Sequence, residues 1–330
     1  MLRRTMAAAA AAAAVLALAA CGGTGDSNDT ASPDAGSGDA PIVVGFSQVG
    51  SESGWRAANT KSIQDALTVE NGFDLKFSDA QQKQENQIQA IRTYIAQGVD
   101  IIAFSPVVTS GWDDVLAEAK AAGIPVVLTD RAVDSQDESL YVTFIGSDFI
   151  KEGERVGAWV SENLGTEPIN VVELQGTTGS APAVDRKTGF ATAIADNPNV
   201  TIIDSQTGNF TRTEGKAVME GFLQAHDNID VVFAHNDDMG LGAIEAIEAA
   251  GLVPGVDIKI VTIDGVKDGM TALSEGKISY IVECNPLLGP DLAQIIKDTI
   301  AGNPVEKRIV TKDDAFDQAG ATAVLADRKY

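Results

Sequence analysis

Beyond residue 40, short apolar runs alternate with longer amphipathic stretches along almost the whole chain. The runs fall at 42–46, 73–77, 100–104, 125–129 and 141–145, then at 169–174, 200–204, 230–234, 258–263 and 278–282. Several are continuous rather than alternating. Ile101-Ile102-Ala103-Phe104 and Val231-Val232-Phe233-Ala234 leave no face for water, the pattern of a strand covered by helices on both sides. Helical spacing predicts helices over 55–70, 85–97, 113–122, 152–164, 186–195, 212–225 and 241–250. Gly72, Gly98, Gly123 and Gly251 follow four of these, as C-cap glycines do. Repeated strand–helix units predict parallel, doubly wound sheets.

Ten strands are many for one such sheet, and the chain repeats itself. The segment 122–130 (AGIPVVLTD) closes one series, and 258–265 (IKIVTIDG) closes another about 134 residues later. The expectation is an α/β protein of two similar lobes with five strands each, dividing near 146–151 and facing each other.

The N-terminus is different. Arg3 and Arg4 precede an apolar stretch, 6–20, that ends in Leu18-Ala19-Ala20-Cys21. That is a secretory signal, 1–20, too short and wrongly flanked for a membrane span. Small residues before a cysteine resemble the bacterial lipobox, which implies cleavage leaving Cys21 lipidated. An ordinary cut nearby, leaving a free thiol, is the alternative. From 22 to 40 the chain reads GGTGDSNDTASPDAGSGDA, which buries no surface and is expected to be a disordered tether, 21–40 with its anchor.

With 24 basic and 47 acidic residues the net charge is −23, which argues against nucleic acid and against direct contact with an anionic membrane; the lipid alone would hold the protein there. About 310 residues remain after the signal, enough for two ordinary domains. If Cys21 carries lipid, Cys284 has no disulfide partner. Two histidines and no Cys/His cluster speak against zinc. There is no G-x-S-x-G elbow and no P-loop, and Gly45, Gly50 and Gly54 are wrongly spaced for a dinucleotide turn. No catalytic residue, cofactor or metal is expected. Asp130 and Asp264 could serve as a glycosidase pair in principle, but Arg131 beside Asp130 would depress the pKa a general acid needs. The segment 311–314 (TKDD) reads as a solvated surface turn.

Open parallel sheets bind ligands beyond the carboxyl ends of their strands. The residues there are short and polar in both halves, which points to a shared polar cleft. Asp130-Arg131 is the sharpest pair: an acceptor beside a fork of donors suits vicinal hydroxyls, with a local ion pair as the rival. Arg186 is expected at a helix start, where a cation is disfavoured, suggesting use elsewhere. In Asn236-Asp237-Asp238 one Asp is expected as helix cap and Asn236 as ligand contact. Trp55, between polar groups after Gly54, suits a platform for a sugar ring, and Phe210 could do the same from the second half; core packing is the alternative for both.

The segments 44–56 (VGFSQVGSESGWR), 81–87 (QQKQENQ), 171–177 (VVELQGT) and 234–239 (AHNDDM) resemble the periplasmic sugar-binding proteins of ABC importers, the ribose and galactose binding-protein group. The first two are similar to its galactofuranose-type subgroup. The resemblance spans residue 41 to about 330 and implies a type I periplasmic binding protein: two lobes joined by a hinge and closing on sugar. It implies an N-terminal lobe of 41–148 plus 286–310 and a C-terminal lobe of 149–285 plus 311–330. Carried over, Glu52, Ser53, Gly54, Trp55 and Arg56 form the first-lobe wall and Asp130 and Arg131 hold hydroxyls. Arg186, Asn236 and Asp264 are the second-lobe contacts. Around Glu283-Cys284-Asn285-Pro286 the register is ambiguous, leaving Glu283 and Asn285 as weaker candidates. Ribose-type members carry two aromatics where this chain has Trp55-Arg56. The implied role is an exported, lipid-anchored, monomeric receptor passing a monosaccharide, furanose-form galactose or a related sugar, to an ABC permease. The alternative output is a sensor handing its closed form to a membrane kinase.

Overall fold

The computed structural model describes residues 40–164 and 166–330; the expected signal peptide, Cys21 and the tether up to residue 39 lie outside the described residues. The first series of elements is β1 Ile42–Gln48, α1 Gly54–Ala66, β2 Phe73–Asp79, α2 Gln84–Gln97, β3 Ile101–Phe104, α3 Asp113–Ala121, β4 Val126–Thr129 and β5 Thr143–Gly146. The second is α4 Phe149–Asn163, β6 Ile169–Gln175, α5 Ala181–Ile194, β7 Val200–Thr207, α6 Arg212–Ala225, β8 Val231–Ala234, α7 Asp237–Ala249, β9 Lys259–Asp264, α8 Lys267–Ser274 and β10 Tyr280–Glu283. The chain closes with α9 Gly289–Ile300, β11 Arg308–Val310, β12 Ala315–Phe316 and α10 Gln318–Val324.

These elements form two α/β lobes, each around one sheet. The strand orders are β11-β5-β4-β3-β1-β2 and β12-β10-β9-β8-β6-β7, the same path twice. All pairings are parallel except β10 with β12. In β3, β4 and β8 every residue is buried, as the continuous apolar runs require.

Each sheet has six strands, not the expected five. The additional ones, β11 and β12, are edge strands of three and two residues, half exposed and too short to form an apolar run. Helices α8, α9 and α10 were likewise not expected, although Leu292, Ile295 and Ile296 give α9 a buried stripe at helical spacing.

Three segments cross between the sheets: β5 to α4, β10 to α9, and β11 to β12. They are bonded to one another. Ser147 Oγ lies 2.9 Å from Thr311 Oγ1 and 3.4 Å from Cys284 Sγ, and the Asn285 N–H donates to Asp313 Oδ1 at 2.9 Å. The acidic segment 311–314 is thus part of the third crossing, with Thr311 and Asp313 half-buried and bonded to the other two, rather than a free surface turn. After the second crossing, α9 lies against α1, where the Gly289 N–H donates to Ser62 Oγ at 3.0 Å.

Candidate functional site

The carboxyl ends of the two sheets face each other across a cleft. The innermost space is lined from the first lobe by Glu52, Ser53, Trp55, Arg56, Asp130 and Arg131. The second lobe and hinge supply Pro182, Arg186, Phe210, Asn236, Asp264 and Cys284.

In the first lobe, Ser53 caps α1, its hydroxyl accepting from the Arg56 N–H at 3.1 Å. The first turn of α1 then points Arg56 inward, and two carboxylates hold it. Nε donates to Glu52 Oε1 at 3.0 Å and Nη2 lies 2.6 Å from Asp130 Oδ2. Nη1 donates to Gln48 Oε1 at 3.2 Å. Burial opposes the charge, but Asp130 and Glu52 keep Arg56 above its ordinary value. Arg131 has less support. Burial and then the neighbouring Arg56 bring it down to about 10, so it is still a cation at neutral pH. Its contacts are longer, 3.2 Å to Val107 O and 3.4 Å to Glu52 Oε1. The Ser105 hydroxyl donates to Asp130 Oδ2 at 3.0 Å, fixing that carboxylate from β3's end.

In the second lobe, Gly153 and Gly189 bring α4 and α5 together backbone to backbone. A Cβ on either would stand 2.2 Å or less from the opposing carbonyl, Arg186 O or Ile150 O. That approach sets Glu152 against Arg186, whose Nε donates to Glu152 Oε2 at 2.7 Å and whose Nη1 donates to His235 O at 2.6 Å. Asp264 Oδ1 is 3.8 Å from Arg186 Nη2. One guanidinium thus serves two buried carboxylates. Burial pushes Glu152 up to about 7 and Asp264 well above the usual carboxylate range, against the pull of Arg186.

Phe210 sits between the lobes' cations. Arg131 lies 5.3 Å from its ring centre and Arg186 6.0 Å. Trp55 has Arg56 over its ring at 4.7 Å and donates Nε1–H to Cys284 O at 2.6 Å, tying the first lobe to the hinge. Both aromatics belong to buried apolar clusters and also line the cleft, so the two alternatives for them coincide.

Several sequence expectations are corrected here. Arg186 does not start its helix; α5 begins at Ala181 with Pro182 in its first turn, and Arg186 stands a turn further in. No macrodipole penalty applies, and its cost is burial. Asn236, rather than an Asp, caps α7: its Oδ1 accepts from the Met239 N–H at 3.0 Å while its Nδ2 donates to Phe210 O at 3.1 Å. Asp237 accepts from the Gly265 and Val266 N–H groups at 2.8 Å each and so holds the turn that carries Asp264. Gly54 and Asp238 bond each other across the cleft instead of lining its innermost space. Glu283 and Asn285 point away. Glu283 pairs with Arg328 at 2.7 Å and accepts from the Tyr330 hydroxyl, and Asn285 Oδ1 accepts from the Leu287 N–H. Cys284, between them, faces the cleft.

Glu152 was missed, although a signal existed. It stands four residues before Val156 and eight before Val160, on the buried stripe of α4, where an acid is out of place unless it has a partner.

Two buried polar atoms of the cleft-lining residues have no hydrogen-bond partner among the described residues: Glu52 Oε2 and Arg131 Nε. The space left between these residues is only about 20 Å³, room for about one water.

Residues 44–304 match the family described as "Periplasmic binding protein domain". The galactofuranose-binding protein YtfQ of Escherichia coli (strain K12) is 50% identical over 281 residues, covering 84% of this chain and 88% of that protein. A solved structure from Mycobacterium smegmatis, in complex with beta-D-fucofuranose, is 62% identical with a TM-score of 0.86, covering 88% of this chain and 95% of that one. The binding protein of the arabinose ABC transporter from Shewanella sp. ANA-3, bound to alpha- and beta-L-arabinofuranose, is 48% identical with a TM-score of 0.83; coverage is 87% and 95%. With the fold, the cleft and these similarities together, the chain belongs to the periplasmic binding protein family.

Proposed function

We propose that this sugar-binding protein of the ABC-transport type captures a furanose-form monosaccharide, galactofuranose or a related sugar, between its lobes and delivers it to a membrane permease. The observation that carries the reading is the set of unpartnered buried atoms among three arginines and four carboxylates. Arg56, Arg131 and Arg186 alternate with Glu52, Asp130, Glu152 and Asp264, so that donors and acceptors interleave as a hydroxyl-rich ligand requires. A neutral ligand rich in hydroxyls donates to Glu52 Oε2 and accepts from Arg131 Nε, satisfying both. Trp55 and Phe210 supply apolar faces for the ring's C–H side. Furanose-binding relatives at 48–62% identity favour the five-membered ring form.

In the same reading the protein is exported as a monomer and tethered by lipid on Cys21, so the lobes sample sugar outside the cytoplasmic membrane. Closure is the state the permease reads, since sugar stabilises it differentially.

Calorimetric titration with galactose, arabinose, ribose and a galactofuranoside tests the ligand. Saturable heat with galactose, arabinose or the galactofuranoside, lost in Arg56→Ala and Asp264→Ala, is expected; silence across the panel would remove the furanose assignment. For the anchor, cells fed labelled palmitate should label the protein but not its Cys21→Ser variant.

A further inference from the structure

Asp238 is buried in the second lobe but does its hydrogen bonding in the first. The Gly54 N–H, at the start of α1, donates to Asp238 Oδ2 across the cleft at 2.8 Å. Asp238 has no task in its own helix. Asn236 caps α7 and Asp237 serves the Gly265-Val266 turn, which leaves the Asp238 carboxylate free to reach over. Its other oxygen is 3.7 Å from Arg212 Nε, and Arg212 is itself paired with Asp268 at 3.1 Å. On the receiving side, α1 has no acidic residue in its first turn. A helix start leaves N–H groups unpaired and favours a nearby anion. Here the anion is supplied by the opposite lobe.

A second contact matches it. The Thr109 N–H, beyond β3, donates to Gly179 O, beyond β6, at 2.9 Å. In the two strand orders β1 and β6 hold equivalent positions, as do β3 and β8. A bond from the β1 end to the β8 end and one from the β3 end to the β6 end are therefore images of each other under the internal repeat. Both exist only while the lobes are together.

We propose that Asp238 and Gly54 form a closure latch, paired with Thr109–Gly179, that sets how much of the protein is closed and hence how tightly sugar is held, without touching sugar. The latch rests on the sugar-receptor reading for its effect on affinity, but not for its effect on closure. Any interaction present in the closed state and replaced by water in the open one moves that equilibrium by its differential free energy. Asp238 is a positioning residue in this sense.

The test is a double-mutant cycle on the full protein, using Asp238→Ala and Gly54→Pro. Proline suits the first position of a helix, and Ser53 before it is already extended, at φ −147° and ψ 163°, so the second substitution removes the donor and keeps α1. Asp238→Asn is the milder partner should Asp238→Ala fold poorly. Each single variant is expected to bind galactose or the galactofuranoside about tenfold more weakly through faster release, with an unchanged panel preference. The double variant should be no weaker than the weaker single one. Solution scattering of the sugar-free variants should show a more open form than the parent. Additive losses, or affinity and scattering both like the parent's, would overturn the latch. If the parent binds no sugar of the panel, the receptor reading fails, and the scattering comparison by itself decides the latch.

Discussion

Asp130 and Asp264 stand at the same place in the two lobes: the first directly follows β4, the second ends β9, and each of those strands is third in its sheet. Both have positive φ, 60° and 130°, and both point a carboxylate at an arginine in the cleft. Such backbone costs about 1–3 kcal/mol per residue and is kept only where the surroundings impose it. Here the repeat imposes it twice, at the two positions that aim acids into the ligand space.

Asp264→Gly separates strain from function. Glycine adopts φ 130° freely, and the substitution also removes a buried carboxylate, so stability at neutral pH should hold or rise by about 1 kcal/mol. Sugar affinity should fall at least about 100-fold. A lower urea midpoint for this variant would show that the strained turn contributes more than it costs.

Removing Arg56 leaves Glu52 and Asp130 buried with only the weakly supported Arg131 between them. Arg56→Met should cost about 3 kcal/mol in chemical denaturation, and adding Glu52→Gln should recover part of it. Equal midpoints for parent and Arg56→Met would mean that water replaces the guanidinium at no cost.

Glu152 makes stability depend on pH in a defined direction. Its folded value, about 7, lies above the ordinary 4.5, so between those values the folded protein binds the extra proton. That contribution is fully present below pH 4.5 and is lost as pH rises through 7, about 3 kcal/mol in all. Glu152→Gln lacks this loss. The difference in melting temperature, variant minus parent, should therefore grow from pH 4.5 to 8. A difference independent of pH would show that Glu152 is ionised throughout.

Trp55→Phe keeps an aromatic ring and removes the bond to Cys284 O. It should lower stability by about 1 kcal/mol. Of Trp55, Trp112 and Trp159, Trp55 alone lines the cleft, so the sugar-induced change in tryptophan emission should vanish in this variant and persist in Trp159→Phe. Persistence of the signal in Trp55→Phe would move the aromatic wall elsewhere.

Much of this plan is legible in the sequence. Continuous apolar runs reveal the inner strands because full burial leaves no alternation, and polar strand ends mark the cleft in both halves. The short edge strands β11 and β12 escaped because two or three half-exposed residues make no pattern. Glu283 and Asn285 were attractive as polar residues at a strand end, yet the one facing the cleft is the apolar-looking Cys284 between them. Along an extended segment successive side chains alternate direction, and composition does not say which goes inward.

What the sequence by itself determined is the two-lobed α/β plan, its internal repeat and most of the residues lining the cleft, since hydrophobic period and strand-end polarity are local properties. Tertiary structure decided which charges meet. Arg56 finds Asp130 and Arg186 finds Glu152 because strand order and the close contact of α4 with α5 bring distant positions within 3 Å. It also decided that Asp238 completes a helix start in the other lobe. Partnership across a cleft is a property of three-dimensional proximity, and no spacing along the chain encodes it.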